Sequence, residues 1–143
     1  MEKITLDAAS SRILRELQRD SRQTVQELSA KVGLSVSPCW RRVKELEASG
    51  VVRRYTALVE REKVGLSACI LAQVSLLRQT EGAAEQFESA MHACAEVIEC
   101  YSVTGDADYV IKVVLPDVKA YDAFLHRVMF KIKDIGTLRS MVV

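Results

Sequence analysis

Two short stretches of this chain bring together residue types that can do chemistry. The first is residues 35–50, Ser-Val-Ser-Pro-Cys-Trp-Arg-Arg-Val-Lys-Glu-Leu-Glu-Ala-Ser-Gly. Read as a helix, it sets Cys39, Val43 and Leu46 on one apolar stripe and turns Ser37, Arg41, Lys44 and Ala48 the other way. A small, donor-rich face with arginine behind its first turn suits the DNA major groove, where guanidinium groups read base edges. Taken alone, the same face reads better as a solvated basic surface. The second stretch is Gly105-Asp106-Ala107-Asp108. A glycine turn offers backbone N–H groups to a carboxylate, and Asp106 or Asp108 can hold an ammonium, with Asp108 the expected partner. An amino acid carries both groups. Asp-x-Asp between strands is also ordinary turn chemistry.

The first stretch needs a scaffold, and its surroundings supply one. Ser35 and Ser37 are candidate N-caps, Pro38 suits a first turn, and Gly50 suits a left-handed stop. Thr5 or Asp7 caps a first helix to about Gln18, with Ile13, Leu14 and Leu17 inward and Arg12, Arg15 and Arg19 on the polar side. Thr24 followed by Glu27 has the spacing of a capping box and opens a second helix to about Val32, with Val25, Leu28 and Val32 inward. Gly33-Leu34-Ser35 then makes a sharp turn into the third helix. Short helix, glycine turn and basic helix together form a helix-turn-helix, which favours DNA over a generic bundle. The expected contact set is Arg22, Gln23 and Thr24 before the second helix; Ser35, Ser37, Pro38, Trp40, Arg41, Arg42 and Lys44 on the third; and Arg53 and Arg54 beyond it. Arg42 lies nearer the apolar stripe, so it is expected to meet a phosphate or an intramolecular carboxylate.

Residues 51–59 read as a hinge strand, followed by the charged connector Glu60-Arg61-Glu62-Lys63 and Gly65. The chain thus divides into a helix-turn-helix domain (1–50), a hinge strand and linker (51–66) and a second domain (67–143). In the second domain, strands are expected over 69–77, 97–104, 109–115 and 137–143. Helices are expected over 81–94, with Ala84, Phe87, Met91 and Cys94 on one stripe, and from the Asp117 cap to about Lys131. Val118, Tyr121, Leu125 and Val128 are expected to face inward on the latter. The order βαββαβ predicts an α+β, ferredoxin-like domain with both helices on one sheet face. Its strands carry apolar residues on both parities, so the other face predicts a homodimer or larger.

Net charge is +1, yet residues 1–65 hold 13 Lys/Arg against 9 Asp/Glu, and residues 66–143 hold 7 against 10. Only the first half is suited to a polyanion. No apolar run is long enough to span a bilayer and the start lacks a signal-peptide core, so the expectation is a cytoplasmic protein. Four scattered cysteines and two histidines argue against a metal site, and no cofactor motif appears. An enzyme is not expected: there is no nucleophile motif or phosphate loop, and His92 and His126 read as surface residues. RNA binding through the sheet is disfavoured by the lack of paired exposed aromatics and by the acidic balance of that half.

Taken in order, Leu6-Asp7, Ile13-Leu14, Leu28, Gly33-Leu34-Ser35, Ser37-Pro38-Cys39, Arg42-Val43, Leu46-Glu47, Gly50-Val51-Val52, Glu96-Val97-Ile98-Glu99-Cys100 and Val103-Thr104-Gly105-Asp106-Ala107-Asp108-Tyr109 resemble the leucine-responsive regulator/AsnC family of transcription regulators. The resemblance covers nearly the whole chain. It implies a (winged) helix-turn-helix domain, a hinge strand and a ligand-sensing domain that dimerises and commonly assembles to tetramers or octamers. It also implies an amino-acid effector held between subunits at Ser102, Thr104, Gly105, Asp106, Ala107 and Asp108, with Val118, Ser140, Met141 and Val142 at further ligand-responsive positions. Two departures stand out. Lys133-Asp134 replaces the usual Pro-Gly, and most members continue past Val143, which leads to an expectation of weaker assembly. The competing reading is a ferredoxin-like, amino-acid-binding regulatory subunit of a metabolic enzyme.

Overall fold

The computed structural model describes residues 5–77 and 82–143. These form two compact units, Met1–Leu58 and Val59–Val143. The first contains α1 (Ala8–Arg19), α2 (Val25–Val32) and α3 (Val36–Ala48). Each opening follows from side-chain chemistry. Asp7 accepts the Ser10 N–H at 2.7 Å to cap α1. At α2 the capping box is complete: Glu27 N–H donates to Thr24 Oγ1 at 3.2 Å, and Thr24 N–H donates to the Glu27 carboxylate at 2.7 Å. Gly33, at φ 69°, turns the chain from α2 into α3, a conformation that a Cβ would oppose. Ser35 occupies the N-cap of α3 but its hydroxyl makes no capping bond, and Ser37 lies inside the first turn. Ile13, Leu28, Val32, Cys39, Val43 and Leu46 form the buried core, flanked by Leu14, Leu17, Leu34, Val51 and Val52.

The expected hinge strand over 51–59 is not a strand in this chain. Val52 N–H donates to Leu46 O at 3.0 Å, but no strand is formed over 51–60, and residues 53–60 are exposed. A run of β-branched and aromatic residues reflects a preference for a pleated, half-buried surface, and a strand exists only when its N–H and C=O groups meet a ladder. The charged connector folds as a 3-10 turn, Arg61–Val64.

The second unit contains β1 (Ala68–Leu76), α4 (Ala83–His92), β2 (Val97–Ser102), β3 (Tyr109–Leu115), α5 (Val118–Arg127) and β4 (Ile135–Val142). The sheet is antiparallel in the order β2-β3-β1-β4, as the ferredoxin-like arrangement requires. Ile70, Ala72 and Val74 of β1 and Ile111 and Val113 of β3 are fully buried beneath Phe87 and Met91 of α4 and Phe124 of α5. The expected helix over 81–94 begins on a residue outside the described set, and its inward position is Ala83, with Ala84 exposed. On α5, capped by Asp117 as expected, the buried seam runs through Tyr121 and Phe124. Val118 is exposed instead of inward, because that seam leaves the first residue of the helix outside. The helix also stops at Arg127, and Met129–Lys131 forms a 3-10 turn.

Candidate DNA-binding face and effector pocket

The apolar stripe of α3 is buried as its spacing requires, which fixes the opposite face outward. Arg41 stands in solvent with Nε 3.7 Å from Glu45. Lys44 sits with its ammonium 4.4 Å from the Trp40 ring centroid and 2.7 Å from a Glu47 carboxylate oxygen. Glu47 accepts a second bond, from the Tyr55 hydroxyl at 2.9 Å. These two bonds hold its carboxyl below the usual range, and the same carboxylate, after burial, pushes the Tyr55 phenol upward. Trp40 is thus a half-exposed platform for Lys44.

Arg42 does not share this face. It donates to the Asp7 carboxylate at 2.6 Å and to Ser10 Oγ at 3.2 Å, so in the single chain it meets the second of its two expected partners, an intramolecular carboxylate. The backbone and side chain of Ser10, with Arg42 in support, draw the Asp7 carboxyl down to about 2. Of the residues ahead of α2, Arg22 is exposed, whereas Thr24 spends its hydroxyl on the cap. Gln23 turns its amide NH2 onto Glu16 O and Asp20 O at 3.1 and 2.7 Å. Arg22, Arg53 and Arg54 line one open groove of about 500 Å³ with Leu14, Leu17 and Tyr55. Ser35 and Ser37 are exposed at the start of α3, and Pro38 is half-buried there.

The second candidate site surrounds the Gly105–Asp108 turn. Gly105, at φ 124°, takes a conformation reserved for glycine. Asp108 is committed to the fold: its carboxylate accepts Leu76 N–H at 2.8 Å, and its own N–H donates to Val74 O at 3.0 Å. Asp106 is exposed instead, and its backbone oxygen accepts from Ser75 Oγ at 3.1 Å. Beside it lies a pocket of about 150 Å³ lined by Gln73, Ser75, Asp106, Ala107, Thr137 and Arg139. Alternation from the buried Val74 puts Gln73 and Ser75 on the sheet face without helices. Register places Gln73 opposite Arg139 and Ser75 opposite Thr137. On that face Leu71 lies between Met141 and Lys112, and Gln73 between Arg139 and Val110.

The remaining candidates are dispersed. Ser102 and Asp108 border a second cavity of about 280 Å³ with Leu76, Ala83 and Tyr109, while Thr104 is exposed. Ser140 hydrogen-bonds Tyr121 at 2.6 Å on the helix-covered face. Val118, Met141 and Val142 are exposed in the single chain. Gln73, Ser75, Thr137 and Arg139 escaped sequence reasoning, since only strand register brings them together. Among the described residues no metal-binding cluster occurs, and no helix is long and apolar enough to cross a membrane.

Comparison with known proteins agrees with both halves. Residues 6–53 match the model of a winged helix-turn-helix DNA-binding domain, and residues 69–143 match that of the Lrp/AsnC ligand-binding domain. The leucine-responsive regulatory protein of Klebsiella pneumoniae is 38% identical over 138 residues, covering 96% of this chain and 84% of its own length. A transcriptional regulator of Neisseria meningitidis, solved as an L-Met complex, is 36% identical with a TM-score of 0.93, over 97% of this chain and 90% of that one. A feast or famine regulatory protein of Mycobacterium tuberculosis, complexed with L-methionine, is 33% identical with a TM-score of 0.83, over 97% and 92%. The order of elements, the sheet topology and these matches over nearly the whole length give one answer: the chain belongs to the Lrp/AsnC family of transcription regulators, with a helix-turn-helix DNA-binding domain and a ligand-binding domain.

Proposed function

We propose that this chain binds operator DNA in the cytoplasm as a homodimer or larger assembly, and that an amino acid held at the Gly105–Asp108 turn tunes that binding. It is not an enzyme in this reading: among the described residues neither site brings a nucleophile to a base. Arg41 is the base reader, since its guanidinium projects into solvent from the face that the α3 core turns outward. Arg22, Arg53 and Arg54 supply phosphate contacts. Arg42 acts through the fold, by tying α3 to the Asp7 cap of α1.

The effector reading rests on one observation, the presence of Asp106 and Arg139 in the lining of the same small pocket. A carboxylate and a guanidinium there match the ammonium and carboxylate of an α-amino acid. Asp106 replaces Asp108 as the ammonium partner, because the Asp108 carboxylate already accepts a backbone N–H. The same sheet face supports dimerisation, since Leu71 and Met141 lie side by side on it, on the side away from the buried Ile70, Ala72 and Val74. A ligand beside that face acts on DNA affinity by favouring one arrangement of subunits over another.

The test is operator binding by the full chain across salt concentrations, with and without each of the twenty amino acids, alongside analytical ultracentrifugation. The expected result is a sequence-specific complex whose affinity shifts with at least one amino acid, and a sedimenting species no smaller than a dimer at micromolar concentration. A monomer that binds all duplexes alike, with no amino-acid response, overturns the reading.

A further inference from the structure

We infer that Arg61 is a positioning residue: it fixes where the linker between the two units ends, and linker length in turn sets the half-site separation accepted on DNA. The inference rests on the reading of the chain as a DNA-binding dimer given above, and it concerns what gives that dimer its reach.

Residues 53–60 are exposed and form no strand. Tyr55 is tied to the first unit through its hydroxyl bond to Glu47 at 2.9 Å. At Arg61 the character of the chain changes. Glu60 O accepts the Lys63 N–H at 3.1 Å, and the 3-10 turn Arg61–Val64 closes on Gly65, whose φ of 79° reverses the chain. Arg61 holds that turn from both sides. Its carbonyl accepts the Leu66 N–H at 2.9 Å, while its guanidinium donates to Leu66 O at 3.4 Å and to Ser67 O. A guanidinium carries its donors in a rigid fork, so one side chain can serve two successive carbonyls. Glu62 lies 3.8 Å from the same group as an exposed pair, too weak to draw it off. Ser67 then fastens the loop to the sheet: its N–H and its Oγ both donate to Pro116 O, at 3.3 and 2.6 Å, just beyond the end of β3.

Only residues 56–60 are left between the Tyr55 tie and the Arg61 tie, a length that spans at most about 18 Å. Releasing residues 61–66 would lengthen the free chain to about 36–40 Å at full extension. Two DNA-binding units on one dimer engage paired half-sites at an effective concentration set by linker reach. A short linker confines the second unit to a narrow range of separations, and a longer one spreads its binding over many.

The test uses the full chain and a duplex that the wild type selects from a random-sequence pool. That duplex is rebuilt with about 5 or about 10 base pairs, half a turn or one turn, inserted between its halves. Arg61→Lys, Arg61→Gln and Arg61→Gln/Ser67→Ala are compared with the wild type, with ultracentrifugation and a thermal melt of each to check assembly and folding. The wild type should lose about tenfold or more in affinity to the half-turn insertion. Arg61→Gln should cut that penalty to about threefold, and the double variant further, with the salt dependence on the parent duplex unchanged. Arg61→Lys should fall between, because an ammonium is a point donor and lacks the fork. Dimeric variants that keep the full penalty overturn the role of Arg61 and leave DNA binding by the dimer standing. A salt slope lowered by Arg61→Gln and restored by Arg61→Lys, with the penalty unmoved, overturns it too and makes Arg61 a phosphate contact. A wild type that sediments as a monomer, or binds all three duplexes alike, overturns the dimer reading and this inference with it.

Discussion

The DNA-binding face and the effector pocket are built on opposite principles. The proposed face is carried mainly by one helix and the segment just after it, and two of its cations, Arg41 and Lys44, already rest against carboxylates of that same helix. The candidate pocket draws on β1, on the turn before β3 and on β4, and brings Asp106 and Arg139 into one lining. A helix face presents chemistry to a partner that brings its own shape and charge. A sheet pocket must bring the shape itself, so it gathers residues from distant parts of the chain.

The largest contrast expected is in stability. Phe87→Ala empties the centre of the second core and should cost about 3–5 kcal/mol of that unit's stability. Ile13→Ala does the same to the smaller first core at about 2–5 kcal/mol. Urea denaturation followed at Trp40 should respond to Ile13→Ala, and loss of amino-acid binding should follow Phe87→Ala. If the Phe87→Ala substitution shifts the Trp40 transition by the same amount, the two units unfold as one and the contrast fails.

Two pairs of substitutions sharpen the comparison at intermediate size. Arg41→Ala should cost about 1–3 kcal/mol of specific DNA affinity and relax preference at one base pair. Arg42→Ala should leave sequence preference nearly intact and instead loosen the Asp7 latch, visible as a lower melting temperature. Equal relaxation of specificity by both would mean that the wrong side of α3 has been assigned to DNA. In the second unit, Asp108→Ala strips the Leu76 N–H of its acceptor and should destabilise by about 1–3 kcal/mol. Asp106→Ala should spare stability and remove ligand binding. A ligand-binding Asp106→Ala protein would reverse the roles given to the two carboxylates.

The smallest effects concern exposed ion pairs and acid. Glu47→Gln should change stability by no more than about 1 kcal/mol, as is usual for surface pairs, while steepening the salt dependence of DNA binding by freeing Lys44. Asp7 has a folded pKa near 2 against 3.8 ordinarily, so its contribution is whole above about 4 and drains away as pH falls toward 2. Acid titration of the wild type and Asp7→Asn should therefore diverge above that window and converge below it. Curves that stay parallel throughout would show the latch to be inert.

The contrast also explains what could be read from the sequence. Helix signals are local, so Asp7, Thr24 with Glu27, Gly33 and Asp117 marked their caps and turns correctly, and the burial of Cys39, Val43 and Leu46 followed from counting. The place of Arg42 at the flank was legible in the same way, and an intramolecular carboxylate is one of the two partners that place suggested, but that it is Asp7, 35 residues away, was not. Strand propensity over 51–59 misled because a ladder needs a second segment, which propensity does not supply. Phe124 was overlooked because two apolar stripes, one through Val118 and one through Phe124, fit the helix equally well until the sheet chose between them. Gln73, Ser75, Thr137 and Arg139 were invisible as a group, since nothing in a one-dimensional chain states that 73 meets 139. That the Asp108 carboxylate also receives the Leu76 N–H was not legible either, since 76 and 108 meet only through the sheet.

One small feature carries a mechanical consequence. The Glu47 carboxylate serves two donors, the Lys44 ammonium from the helix and the Tyr55 hydroxyl from the segment leading out of the unit. Lys44 donates to one carboxylate oxygen and Tyr55 to the other, so the two bonds do not compete but together fix the orientation of the group, each supporting the other. A pull on the chain at Tyr55 that breaks its bond frees the carboxylate to turn and loosens the counter-ion of Lys44. The helix is thereby geared to its own tail, and Tyr55→Phe would disengage the gear without altering a residue of α3.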